Sequence, residues 1–85
     1  MLDKYNLDLN HLRSFLAVAE TLHFTSAAHL RGVSQSTISL HIHRLEEALG
    51  ASLLSRSTIV VELTLTGHAL IRLAQETLQS HDRIF

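Results

Sequence analysis

The sequence predicts a mainly α-helical fold, in which three helices, a two-stranded β-hairpin and a further long helix follow one another. Two patterns predict it. Apolar residues recur at helical spacing in four segments of the chain, and a β-branched run from Ile59 to Val61 interrupts them. The chain has no proline and only three glycines, so the glycines mark most of the boundaries between elements.

The first two helices follow a short N-terminal tail of residues 1–7. Asp8 is a good N-cap residue, and the helix after it is expected to continue to about Thr21. Thr25 is expected to cap a second, short helix that contains Ala27 and Ala28. The apolar positions that define the first helix are Leu9, Leu12, Phe15, Leu16 and Ala19.

The third helix is the best defined element of the sequence. Gly32 and Val33 form a turn, Ser34 caps the helix, and Gly50 follows Leu49 where a left-handed residue often ends a helix. At about 100° per residue, one side of this helix faces the core with Ile38, Ile42, Leu45 and Leu49. The opposite, free side carries Ser36, Ser39, Leu40, His43 and Glu47, with Gln35 projecting from the first turn.

The segment after Gly50 predicts the hairpin and the last helix. Two short strands flank a turn at Ser57 and Thr58. Thr64 or Thr66 then caps a fourth helix, whose apolar stripe continues until the chain ends, so we expect a fragment of a longer protein. The stripe is too broad for one side of a small domain to cover and predicts a dimer interface: Leu70, Leu73, Ala74, Thr77, Leu78 and His81.

This order of elements is that of a winged helix-turn-helix, in which the hairpin is the wing. We place this domain at residues 8–63 and a linker or dimerisation helix at residues 64–85. The short polar side chains on the free side of the third helix suit base edges and phosphate oxygens. Polar residues on an exposed helix can also do nothing but remain hydrated, and only the winged context favours a binding role.

Composition limits the alternatives. The formal net charge is −1, which argues against strong non-specific affinity for DNA but not against a short-range specific contact. The absence of cysteine excludes disulfides and thiolate zinc sites, and it is consistent with a cytoplasmic protein. We find no signal peptide and no apolar run long enough to span a membrane.

Two chemical functions are not supported by the sequence. His41 and His43 are two residues apart and point in different directions on a helix, so they do not form a metal site. We find no catalytic triad, phosphate-binding glycine loop or carboxylate pair, and we therefore expect neither an enzyme nor a cofactor. The serious alternative is a winged-helix module for protein interaction that does not bind DNA.

Many residues in fixed order resemble the N-terminal domain of LysR-type bacterial transcription regulators, over nearly all of residues 8–80. The resemblance rests on Leu12–Glu20, Phe24–Ala28, Val33–Ser39, Ile42, Arg44–Glu46, Leu49–Gly50, Leu53–Leu54, Arg56, Leu63–Thr64 and Gly67. It implies a homodimer that binds double-stranded DNA, with the third helix in the major groove. It also implies a larger domain that binds a small-molecule effector and is absent from this chain.

The resemblance also implies which residues meet DNA. Gln35, Ser36, Ser39 and Leu40 would face the groove, and Thr25, Ser26, Thr37 and Arg56 would be candidates for phosphate. We add Ser34, His43 and Arg44, which lie on or beside the same helix face.

This chain departs from the family pattern at three places. The family often has arginine or another polar residue where this chain has Leu40, which either touches a thymine methyl group or marks a missing contact. The wing has no basic residue from Ser57 to Glu62, so Arg56 is its only candidate anchor. Leu30 and Arg31 reverse the usual order, so we expect Leu30 in the core and Arg31 directed outward.

Overall fold

A computed structural model describes residues 7–56 and 61–84 and confirms the predicted order of elements. The elements are α1 (Leu9–Thr21), α2 (Phe24–Arg31), α3 (Gln35–Leu49), β1 (Leu54–Arg56), β2 (Val61–Leu63) and α4 (Leu65–Ile84). The predicted turn at Ser57 and Thr58 lies outside the described residues. No helix within the described ranges is long and apolar enough to cross a membrane.

The caps of α1 and α3 are those expected from the sequence. The Asp8 carboxylate accepts hydrogen bonds from the backbone N–H groups of Asn10 and His11. Ser34 Oγ accepts one from Thr37 N at 3.1 Å, and Gly50, with φ of 67°, ends α3 in the left-handed region. These bonds satisfy backbone groups that a helix end leaves without partners, so both helices begin where the sequence places them.

The prediction that Thr25 caps α2 is wrong. His23 is the N-cap residue, and its Nδ1 accepts a hydrogen bond from Ser26 N at 3.2 Å. The helix therefore begins at Phe24, and Thr25 lies in its first turn with its hydroxyl available for a contact with another helix. Histidine is a rarer cap than serine or threonine, and for that reason the sequence favoured the wrong residue.

The expected positions of Leu30 and Arg31 are also wrong. Leu30 is 59% exposed, whereas Arg31 is half-buried and its guanidinium approaches the carbonyl oxygen of Asn10 on α1. Helical geometry explains the exchange. At about 100° per residue, Arg31 points to within about 10° of the midpoint of Ala27 and Ala28, the buried pair of α2, and Leu30 points about 110° away.

The hairpin is antiparallel, with Leu54 opposite Leu63, Ser55 opposite Glu62, and Arg56 opposite Val61. The Glu46 carboxylate on α3 accepts a hydrogen bond from Leu53 N at 2.8 Å, just before β1. This bond joins the end of α3 to the start of the hairpin. Charged acceptors make stronger hydrogen bonds than neutral ones, so Glu46 helps to set the position of the wing relative to α3.

Thr64, rather than Thr66, caps α4. Its Oγ1 accepts a hydrogen bond from Gly67 N at 3.0 Å and donates one to the Ser52 carbonyl oxygen at 2.6 Å. Thr64 therefore connects the helix start to the segment before β1. Gly67 is buried in the first turns of α4, and a side chain there would collide with the Leu53 carbonyl oxygen.

A single apolar core lies among all four helices. Its fully enclosed side chains include Phe15 and Val18 of α1, Ile38 and Ile42 of α3, and Leu53 before the hairpin. The far end of α4 is held on α1 by an ion pair, in which Arg13 donates to the Asp82 carboxylate at 2.7 Å. That guanidinium holds the pKa of Asp82 below its ordinary value.

The core also includes part of the predicted dimer interface. Leu70, Ala74 and Leu78 are 4%, 0% and 6% exposed in the single chain. Because their own domain covers them, these three side chains have almost no surface left for a partner. Leu73, Thr77 and His81 are half-buried, and for them the interface stays a prediction.

Candidate nucleic-acid interface

The first turn of α2 and the free side of α3 form one concave surface. It is a shallow, open depression of about 720 Å³, lined by Phe24, Gln35, Ser36, Ser39, Leu40 and His43. We call this set of residues the α3 surface. Four of the sequence-predicted groove residues therefore lie together, and Phe24 is a member that the sequence did not indicate.

Gln35 is held in place by a contact between the two helices. The Thr25 hydroxyl donates a hydrogen bond to Gln35 Oε1 at 3.1 Å, and both side chains are exposed. This bond orients the amide and leaves its NH₂ group directed away from Thr25. A glutamine amide can offer an adenine base both a donor and an acceptor, and an oriented amide loses less entropy when it binds.

The hydroxyl groups at the start of α3 form a small network. Ser34 Oγ lies 3.1 Å from Ser36 Oγ and 2.8 Å from Thr37 Oγ1. It thus accepts the capping bond and also orients two neighbours. Their remaining hydrogen-bonding capacity lies at a helix N-terminus, where backbone N–H groups favour an anion such as phosphate.

Ser26, at the start of α2, contacts the cap of its own helix. Its Oγ lies 3.1 Å from His23 Nδ1, and Ser26 is exposed. Thr25 and Ser26 therefore flank the α3 surface on the α2 side, where the sequence placed candidate phosphate contacts. A hydroxyl in this position can donate to a phosphate oxygen without carrying charge.

The second half of the free side carries opposing charges. His43 Nε2 and Arg44 Nη1 lie 3.6 Å and 3.9 Å from the same oxygen of Glu47. All three side chains are more than half exposed, and such pairs contribute little to stability. Glu47 reduces the positive potential that Arg44 presents to DNA. The side chain of Arg56, the other predicted cation, lies outside the described residues.

A histidine pair behind α3 was missed by the sequence analysis as a structural unit. His41 Nδ1 lies 2.7 Å from Ser14 Oγ of α1, and the His41 ring packs on His11 at 4.6 Å between centroids. Ser14 is fully buried, and its place within the apolar stripe of α1 was the available signal. Desolvation lowers the pKa of His41, and His11 and Arg31 lower it further.

A second depression lies between α1 and α4, apart from the half-buried Leu73, Thr77 and His81, which do not line it. It encloses about 530 Å³ between α1 and α4 and is lined by Leu16, Ala19, Glu20, Ile71 and Gln75. Leu73, Thr77 and His81 belong to the same helix, and Thr77 Oγ1 bonds back to the Leu73 carbonyl at 2.8 Å. No group of three potential metal ligands occurs within residues 7–56 and 61–84.

Comparison with known proteins identifies relatives along most of the chain. A family model described as "Bacterial regulatory helix-turn-helix protein, lysR family" matches residues 9–68. The HTH-type transcriptional regulator PtxR of Pseudomonas aeruginosa is 46% identical over 77 residues, which are 91% of this chain and 25% of PtxR. A probable hydrogen peroxide-inducible genes activator of Mycobacterium xenopi is 47% identical over 83 residues, 96% of this chain and 44% of that protein.

Solved structures give the same result at the level of the fold. The DNA-binding domain of CbnR in complex with DNA superposes with a TM-score of 0.87 at 38% identity, covering 91% of this chain and 88% of that one. The domain of BenM bound to catB site 1 DNA superposes with a TM-score of 0.85 at 38% identity, covering 92% and 88%. This chain spans about a quarter of the length of its curated relative PtxR.

Proposed function

Because this chain belongs to the lysR family of bacterial helix-turn-helix regulators, we propose that it binds double-stranded DNA sequence-specifically, with α3 in the major groove. The observation that carries the proposal is the α3 surface. One side of α3 is buried in the core. The other side presents hydrogen-bonding groups and one leucine to solvent, along a concave surface. The relatives are regulators and not enzymes.

Within this proposal the residues divide into two roles. Gln35, Ser36, Ser39 and Leu40 meet base edges, because they line the α3 surface. Thr25, Ser26, Ser34 and Thr37 meet phosphate at the helix N-termini. Arg44 and Arg56 add positive charge, which Glu47 offsets at Arg44, and the exposed His43 ring adds hydrogen-bonding groups beside them.

We also propose that α4 joins two copies of the chain. The helix has 20 residues and is therefore roughly 30 Å long, and its half-buried Leu73, Thr77 and His81 provide the contact. A two-fold dimer would place two α3 helices on successive half-sites of a palindrome. Regulation by a small molecule would belong to a further domain of the whole protein. We further propose a cytoplasmic location, which binding to bacterial DNA would require.

The proposal is tested by fluorescence anisotropy with labelled duplexes. A pool of interrupted palindromes and a random duplex are each titrated with the protein at several salt concentrations. We expect a preference for some palindromes, and a log–log dependence of affinity on salt with a slope of several units. No binding to any duplex at low salt, by a protein that sizing shows to be folded, would instead favour the protein-interaction module that the net charge of −1 keeps open.

A further inference from the structure

Leu40 is an apolar side chain on a surface that is otherwise mostly polar. It is 49% exposed and lines the α3 surface beside Ser36 and Ser39. The core of the domain is complete without it, because the buried residues of α3 are Ile38, Ile42 and Leu45 on the opposite side. Leu40 is therefore available to contact a ligand, and it differs from the other exposed leucines, Leu22, Leu30 and Leu65, in lining the α3 surface.

No lysine or arginine among the described residues lines the α3 surface. Three described arginines are directed elsewhere: Arg13 pairs with Asp82, Arg72 pairs with Glu76, and Arg31 approaches α1. Arg44 lies beside the surface without lining it, and its guanidinium is within 3.9 Å of the Glu47 carboxylate. Recognition of guanine in the major groove most often uses a lysine or arginine that donates to O6 and N7. The α3 surface is thus poorly equipped to read guanine.

The major groove offers one apolar group, the C5 methyl group of thymine. Leu40 has the chemistry to contact it, and the half-buried ring of Phe24 lines the same concavity. Gln35, oriented by Thr25, can pair with adenine through its amide. The Leu40 side chain therefore matches thymine, and the Gln35 amide matches adenine, the two bases of an A·T pair.

We propose that Leu40 is a specificity-determining residue that contacts a thymine methyl group, so that α3 selects a half-site containing A·T pairs. This inference rests on the proposed function. It adds the class of base pair that α3 selects and the chemical group that Leu40 reads. Because the contact is with a methyl group and not with the ring, 5-methylcytosine in place of that thymine binds better than cytosine does.

The test removes the methyl group from the DNA and leaves its hydrogen-bonding groups unchanged. A duplex carrying the preferred site is prepared in versions in which one thymine at a time is replaced by deoxyuridine. At one thymine of each half-site we expect affinity to fall about fourfold, which corresponds to about 0.8 kcal/mol for one buried methyl group. Leu40→Ala should bind the thymine and deoxyuridine versions of that site equally.

Leu30→Ala is the matched control, because Leu30 is also exposed and does not line the α3 surface. It should keep the fourfold discrimination. Specific binding that is insensitive to deoxyuridine at every position would overturn the inference and leave the proposed function intact. Retention of the discrimination by Leu40→Ala would also overturn it, and failure to bind any duplex would overturn both.

Discussion

The His41 ring on α3 and the fully buried Ser14 hydroxyl on α1 lie 2.7 Å apart. This contact joins the helix that carries the α3 surface to the centre of the domain. His11 packs against the same ring, Arg31 approaches it from α2, and Asp8 is the opposing negative charge. A proton added to His41 therefore enters a site where burial and two nearby positive groups oppose it.

We expect the stability of the domain to fall on mild acidification. Burial, His11 and Arg31 lower the pKa of His41 from its ordinary value of 6.5, so the unfolded chain takes up this proton more readily than the folded one. The contribution of His41 is then complete above pH 6.5 and is lost as the pH falls through 6.5 toward the lower folded-state pKa.

Thermal unfolding followed by circular dichroism between pH 5 and pH 8 measures this effect. The chain has seven histidines, so the informative quantity is the difference between the wild type and His41→Gln. The stability of the wild type relative to His41→Gln should decrease as the pH falls below 6.5. A pH-independent difference would show that His41 does not couple protonation to folding.

Ser34→Ala should destabilise the domain by about 1 kcal/mol, because it removes the hydroxyl that caps α3. Ser36→Ala is a matched control for folding, since its hydroxyl contacts Ser34 Oγ but no backbone N–H in the described hydrogen bonds. Urea unfolding gives both values. Equal midpoints for the two variants would remove Ser34 as the cap of α3.

Gly67→Ala should destabilise the domain by about 1–3 kcal/mol, although alanine ordinarily favours a helix interior by up to about 1 kcal/mol over glycine. A Cβ at this position collides with the Leu53 carbonyl oxygen and lies 3.1 Å from Leu63 Cδ2. Thr66→Ala, at the exposed neighbouring position, should be close to neutral in the same unfolding experiment. A Gly67→Ala variant as stable as the wild type would show that α4 can move away from the hairpin.

Leu73→Glu should convert the proposed dimer into a monomer, as measured by light scattering coupled to size exclusion. Leu70→Glu is unsuitable for this test because Leu70 is buried in its own chain and the change would unfold the domain. Gln79→Glu, at an exposed position of α4, controls for the added charge. Thr77→Arg provides a second variant, and dimers in both, with helical content intact, would exclude this face of α4 as the interface.

Gln35→Ala should weaken binding to the preferred site by roughly 1–3 kcal/mol and should leave binding to random duplex almost unchanged. Thr25→Val should cause a smaller loss, because it removes only the hydroxyl that orients the Gln35 amide. Gln79→Ala is the matched control for glutamine removal. If Gln35→Ala weakens specific and random binding equally, Gln35 does not read a base.

The sequence predicted the order and type of every described element. The reason is that these elements depend on local chemistry: Asp8 and Ser34 supply capping oxygens, and Gly50 adopts a left-handed conformation at low cost. The side of α3 that is free followed from its helical period alone. Leu40 was placed on that side correctly, since its direction depends only on the residues buried opposite it.

Tertiary structure alone decided which apolar residues of α4 belong to the core. Leu70, Ala74 and Leu78 are covered by the same domain, whereas Leu73 is only half covered, and a single helical period does not distinguish these two cases. Likewise, no local rule brings Ser14 to His41, or Arg13 to Asp82 across 69 positions of the chain. Contacts between distant segments depend on how the helices pack, and helix packing is a property of the folded chain as a whole.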